Sequence, residues 1–94
     1  HHLPTRRFNK ASIYLTILDA HGMLLKVLES ISNHQINMTK LQSYPILGEL
    51  KKYYFHLDLE FDEEEQFYDC MKELKRRTES LEILGTYQKA EIDD

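Results

Sequence analysis

Gly22 and Asn37 are the positions of this 94-residue chain whose types best suit the grip of a small ligand. Gly22 follows an alternating apolar run and opens a run with helical spacing. Backbone N–H groups at a helix start have no partner inside the helix, so they suit a carboxylate. The plainer role for the same glycine, and the commoner one for a lone glycine, is a tight strand-to-helix turn. Asn37 offers both a donor and an acceptor, which match the zwitterionic head of an amino acid. They match a local turn after a helix equally well. Ser43-Tyr44-Pro45 by itself reads as the end of a strand.

Other chemistry finds less support. The acidic stretch from Asp58 to Glu65 reads as the wet face of a strand followed by a helix start. A hard cation needs oxygens converging from a tight loop instead. His21, His34 and His56 fall on three different elements, and no pair has the i, i+4 spacing of a helical zinc site. Cys70 is the only cysteine, so it forms neither an internal disulfide nor a thiolate cage. It sits on an apolar helical stripe, where a thiol usually packs. No Cys/His/Asp set is spaced for nucleophilic catalysis. The expectation is a domain without catalytic residues, metal or cofactor.

The elements that would position Gly22 and Asn37 follow from periodicity. Ala11, Ile13, Leu15 and Ile17 alternate with polar neighbours, which predicts a strand with one covered face. Asp19-Ala20-His21-Gly22 breaks it, and Leu24, Val27, Leu28 and Ile31 then mark the buried stripe of a helix starting near Gly22. A second strand runs roughly from Ile36 to Tyr44. Its apolar residues change parity between Met38 and Leu41, which points to a bulge or a twisted edge, and Pro45 stops it. Tyr53, Phe55, Leu57, Leu59 and Phe61 form the apolar side of a third strand, opposite Tyr54, His56, Asp58 and Glu60. Asp62 with Glu65 reads as a helix cap. Phe67, Cys70, Met71 and Leu74 form the second helical stripe, and Arg76 and Arg77 sit in its last turn. Leu81, Ile83 and Gly85 alternate with Glu82, Leu84 and Thr86 in a last strand.

Strand-helix-strand twice predicts an α+β, ferredoxin-like βαββαβ fold. Its four-stranded antiparallel sheet has the first and third strands at the centre and both helices on one face. The other face, with Tyr14, Tyr54 and His56, has no cover, and the second strand is an unpaired edge. Such features seek a partner, so a homodimer through the second strand is expected.

Bulk properties narrow the class. A chain this short holds one domain with one modest core. Its net charge of −4 argues against a nucleic-acid partner. No apolar run approaches the ~20 residues of a membrane span, and no signal-peptide pattern opens the chain. One cysteine and no span lead to the expectation of a cytoplasmic protein. The chain opens with His1-His2 and no Met, which suggests a piece cut from a longer protein and carrying a tag remnant.

Ile36-Asn37-Met38-Thr39-Lys40-Leu41-Gln42-Ser43-Tyr44-Pro45, read with Gly22-Met23-Leu24-Leu25 and Leu84-Gly85-Thr86-Tyr87, resembles an ACT domain. The likeness is greatest to the C-terminal regulatory ACT domain of prephenate dehydratases. In that family a Gly-Ala-Leu-Val-type motif and a Glu-Ser-Arg-Pro motif meet at a subunit interface and hold L-phenylalanine. The resemblance covers about residues 10–88, leaving 1–9 as a linker or tag remnant and 89–94 as a tail. It implies a ligand set of Asp19, Gly22, Met23, Leu24, Leu25, Asn37, Gln42, Ser43, Tyr44 and Pro45. It further implies L-phenylalanine or tyrosine as effector and an upstream catalytic domain with lyase activity in phenylalanine biosynthesis. His21 stands for the usual Pro, Gln42 for Glu and Tyr44 for Arg, so two charges of the second motif are gone. Thr5-Arg6-Arg7-Phe8 looks like the family's catalytic Thr-Arg-Phe motif, but reads as a chance match in the linker.

Other ferredoxin-like classes fit less well. An RNA binder needs a basic aromatic central strand, where Asp58 and Glu60 stand. A metal chaperone needs paired cysteines, and an acylphosphatase needs an anion-binding Arg where Asp19-Ala20-His21 stands. A ligand-free structural dimerisation domain remains the alternative.

Overall fold

The computed structural model of the chain describes residues 8–18, 20–48 and 51–88, without the side chains of Ala20 and His21. Strand β1 (Lys10–Leu18) leads into helix α1 (Ala20–Asn33) and strand β2 (Asn37–Pro45). Strand β3 (Lys52–Glu60), helix α2 (Glu64–Arg77) and strand β4 (Ser80–Tyr87) repeat the pattern. The sheet order is β2-β3-β1-β4 and every pairing is antiparallel. This is the ferredoxin-like βαββαβ arrangement, with β1 and β3 central.

Alternation in β1 and β3 puts Ile13, Leu15, Ile17, Leu57 and Leu59 on one sheet face, where each is 1% exposed or less. Val27 and Ile31 of α1 and Phe67, Cys70, Met71 and Leu74 of α2 close over them. Leu28, expected in the same stripe, is only half-buried and outside this cluster. The stripe of α1 is therefore narrower than its four apolar residues suggest.

Both edge strands are bulged. The β2–β3 register shifts between Met38 and Lys40, so Thr39 is the extra residue, and of the two readings of the parity change the bulge holds. A second shift, between Ser12 and Ile13 of β1, leaves Leu84 unpaired in β4. It moves Gly85 from the face of Leu81 and Ile83 to the face of Ser12. The simple alternation expected for β4 misses this, because both residues beside the bulge are small or apolar.

The helix ends depart from the expected caps. Helix α1 begins at Ala20, two residues before Gly22. It closes with Gln35 at a φ of 60°, an Ile36 N–H donating to Ile31 O (3.1 Å) and a Gln35 N–H donating to Ser32 O (2.9 Å). That is a Schellman closure, with Ile31 and Ile36 both buried in the core. Helix α2 is capped by Glu63 and Gln66, one residue beyond the expected Asp62 and Glu65. The Gln66 carboxamide oxygen accepts from the Glu63 N–H (2.6 Å) and the Asp62 N–H (2.9 Å). Gln66 reaches both because the chain bends one residue later than an Asp cap would place it. Its Nε2 donates to His34 O (3.0 Å) and Gln35 O (3.2 Å), fastening the start of α2 to the end of α1.

The segment ahead of β1 is packed where it is described. Phe8 sits edge-on to Phe61, Phe67 and Tyr68 at centroid distances of 5.7–5.8 Å. Asn9 continues both ladders: its N–H donates to Tyr87 O and its carbonyl accepts from the Phe61 N–H, each at 3.0 Å. Residues 1–7 of the expected linker and the expected tail from 89 lie outside the described residues.

Candidate functional site

Gly22 lies in the first turn of α1, where backbone N–H groups have no helical partner. A Cβ built on it would meet nothing within 4 Å, and its φ is not positive. The position therefore faces open space and does not need glycine for its backbone. Met23 and Leu24 are half-buried against the core, while Leu25 is 59% exposed. Asp19 lies outside the described residues.

Register places the second group of candidates. Tyr44 pairs with Tyr54 and Pro45 with Tyr53, opposite the end of β1 from which α1 departs. Gln42, Ser43, Tyr44 and Pro45 thus approach the sheet end that carries Gly22. Asn37 pairs with Glu60, which pairs with Lys10 at the opposite end. Eight residue steps of about 3.3 Å put Asn37 roughly 26 Å along the strand from Pro45. One chain therefore brings Gly22 and Ser43-Tyr44-Pro45 to a common end but leaves Asn37 at the other.

Gln42 and Tyr44 stand on the open sheet face, and Ser43 on the helix side. The Tyr44 hydroxyl donates to Gln42 Oε1 at 2.6 Å, so the two side chains form a neutral pair. Every residue of β2 but Met38 is exposed. Its outer backbone groups are those of an edge strand.

The open face also holds Ser12, His56 and Asp58. The Ser12 hydroxyl donates to Asp58 Oδ1 (2.6 Å), and His56 Nε2 lies 3.5 Å from the same oxygen without a hydrogen bond. Tyr14 meets the His56 ring edge-on at 4.9 Å. A nucleophilic triad needs the imidazole between hydroxyl and carboxylate. Here the carboxylate lies between, so the serine is not activated and the cluster reads as cross-strand pairing.

Elsewhere the titratable groups are structural. Burial, with Glu73 beside it, pushes the Cys70 thiol up to about 12, so it stays protonated and packs. Glu73 is held below the usual carboxylate range, chiefly by the hydrogen bond from Arg77, against a desolvation penalty that is larger than the further help from Ser30 or from His34. Among the described residues no three His, Cys, Asp or Glu side chains group as metal ligands. No helix of the described residues is long and apolar enough to cross a membrane. A recess of ≈ 160 Å³ lined by Phe8, Asn9, Asp62, Glu63, Glu64 and Gln88 lies at the far end from Gly22, and its acidic rim does not suit a carboxylate.

No family model matches the chain. It is 40% identical over 87 residues to a bifunctional chorismate mutase/prephenate dehydratase of Aquifex aeolicus, covering 92% of this chain and 24% of that protein. Its fold superimposes on a prephenate dehydratase of Arthrobacter aurescens solved in complex with L-Phe, with a TM-score of 0.77 and 22% identity, over 95% of this chain and 30% of that one. It also matches the ACT domain of a Chlorobium tepidum GTP pyrophosphokinase, with a TM-score of 0.66 and 18% identity, over 83% of this chain and 99% of that one. The chain is an ACT domain, most like that of prephenate dehydratases.

The ACT domain spans about a quarter of the length of the first curated relatives it matches. Two of its residues were hard to find by motif. Phe8 is the lone Phe of a polar, basic stretch, and Gln66 is one amide among five acidic residues from Glu60 to Glu65. The amide offers both an acceptor for the N–H groups ahead of α2 and a donor for the His34 and Gln35 carbonyls after α1, which a carboxylate does not.

Proposed function

We propose that this ACT domain is a non-catalytic sensor of L-phenylalanine, with tyrosine the nearest alternative. The parent chain is a cytoplasmic prephenate dehydratase whose catalytic domain lies upstream. Two copies pair through β2, antiparallel and centred on Leu41, and join their sheets. In that register the second copy's Asn37 comes beside Pro45, at the sheet end of Gly22. The effector's carboxylate meets the free N–H groups of α1's first turn. Its ammonium meets Asn37 and nearby carbonyls, and its ring rests on Met23 and Leu24, with Tyr44 at the rim on the open sheet face. Asp19, Leu25, Gln42, Ser43 and Pro45 complete the surroundings.

The observation that carries this reading is the shared sheet end. An uncovered helix start at Gly22 and the exposed Ser43-Tyr44-Pro45 edge stand together in a chain akin to prephenate dehydratases. A thermal-shift scan against the twenty amino acids, with sedimentation in parallel, tests it. Phenylalanine at a hundred times its Kd stabilises by about 2.7 kcal/mol, a readily visible rise in melting temperature for a domain this small. A dimer that responds to none of phenylalanine, tyrosine and tryptophan is a structural dimerisation domain instead. A monomer at micromolar concentration rules out the shared site.

A further inference from the structure

The sheet end opposite Gly22 carries a contact that a plain linker has no reason to make. Phe8 enters a socket formed by the rings of Phe61, Phe67 and Tyr68, each met nearly at right angles. Its N–H donates to Glu64 Oε2 at 3.0 Å, in the first turn of α2. An open recess borders this socket, lined by Phe8, Asn9, Gln88 and the acidic start of α2, so Phe8 closes the core from one side only. The socket is joined to α1 through Gln66, whose amide holds the carbonyls of His34 and Gln35. Helix α1 is one continuous rod of 14 residues from Ala20, beside Gly22, to Asn33. His34 and Gln35 just beyond its far end, Gln66 and the α2 turn that grips Phe8 thus form one connected set of contacts with α1.

We propose that Phe8 is a clip that carries effector occupancy into the chain preceding β1, by seating or leaving the Phe61-Phe67-Tyr68 socket. The proposal rests on the effector reading above and adds its route of regulation. A two-state element is what such a route requires, and in this proposal the two states are the Phe8 ring seated in its socket and the ring withdrawn from it. The apolar socket favours the seated ring, and the charge-assisted bond from the Phe8 N–H to the Glu64 carboxylate sets its angle. Phe8 is a positioning residue: it touches neither effector nor substrate.

The test uses the full-length protein and reads phenylalanine affinity by calorimetry and inhibition of prephenate turnover separately. Phe8→Ala is expected to bind phenylalanine within about twofold of the parent yet to need at least tenfold more for half inhibition. Phe8→Leu, which refills the socket with an apolar side chain, restores much of the inhibition, and Gln66→Ala weakens inhibition in the same direction. Unchanged inhibition in Phe8→Ala overturns the proposal. So does a parallel loss of binding and inhibition, which makes Phe8 a purely structural contact. If the unsubstituted protein does not bind phenylalanine, the effector reading itself fails and the clip falls with it.

Discussion

At the Gly22 end of the sheet little is covered: Gly22 faces open space, Tyr44 and Gln42 form an exposed hydrogen-bonded pair, and every residue of β2 but Met38 is exposed. At the Phe8 end backbone groups are closed off. The His34 and Gln35 carbonyls just after α1 and the Asp62 and Glu63 N–H groups just before α2 all meet the Gln66 amide, and the rings of Phe8, Phe61, Phe67 and Tyr68 pack beside it. Both ends are strand-to-helix corners with equal numbers of unpaired backbone groups to satisfy. The closed end uses its side chains for stability, and the open end is where the proposed effector site lies. Substitutions at the two ends should therefore separate stability from binding.

The largest effect is expected from Phe67→Ala. Phe67 is fully buried and stacks on Phe61 at a centroid distance of 5.1 Å. Losing it costs roughly 3–5 kcal/mol, read as a drop in the urea midpoint. Next comes Gln66→Ala, which strips four hydrogen-bonding contacts from two helix ends. Water replaces part of them at this surface position, so roughly 1–2 kcal/mol is lost. Amide exchange should quicken at Asp62 and Glu63 and leave β2 unchanged. The smallest effect is a gain. Gln35 holds a left-handed φ of 60° at the end of α1. Gln35→Gly should raise stability by up to about 1 kcal/mol, seen as a small rise in melting temperature.

How far these regions were legible in the sequence follows the same division. Strict alternation marked β1 and β3, because a central strand buried on one face must alternate. The Met38-to-Leu41 parity change marked the β2 bulge, because an extra residue reverses the facing of everything after it. The β4 bulge at Leu84 stayed hidden, since Leu84 and Ile83 are equally apolar and almost equally exposed. Leu28 fitted the helical period but not the narrow contact that α1 makes with the sheet. Gly22 was visible as a break between two periods, yet its open surroundings belong to the fold and residue type does not encode them. Asn37 was paired with Gly22 by chemistry, while strand register puts it at the far end. Phe8 and Gln66 act through contacts distant in sequence, and no local pattern marks such residues.

The most direct test of the account is calorimetric titration of phenylalanine into the parent chain and Gly22→Asp. The substitution meets open space and no positive φ, and a carboxylate is favourable at a helix start. Its melting temperature should therefore match or exceed the parent's. The new carboxylate stands where the effector's own carboxylate belongs, so like charges meet and the binding heat should vanish. A Gly22→Asp variant that binds phenylalanine as tightly as the parent would contradict the placement of the site and the effector assignment built on it.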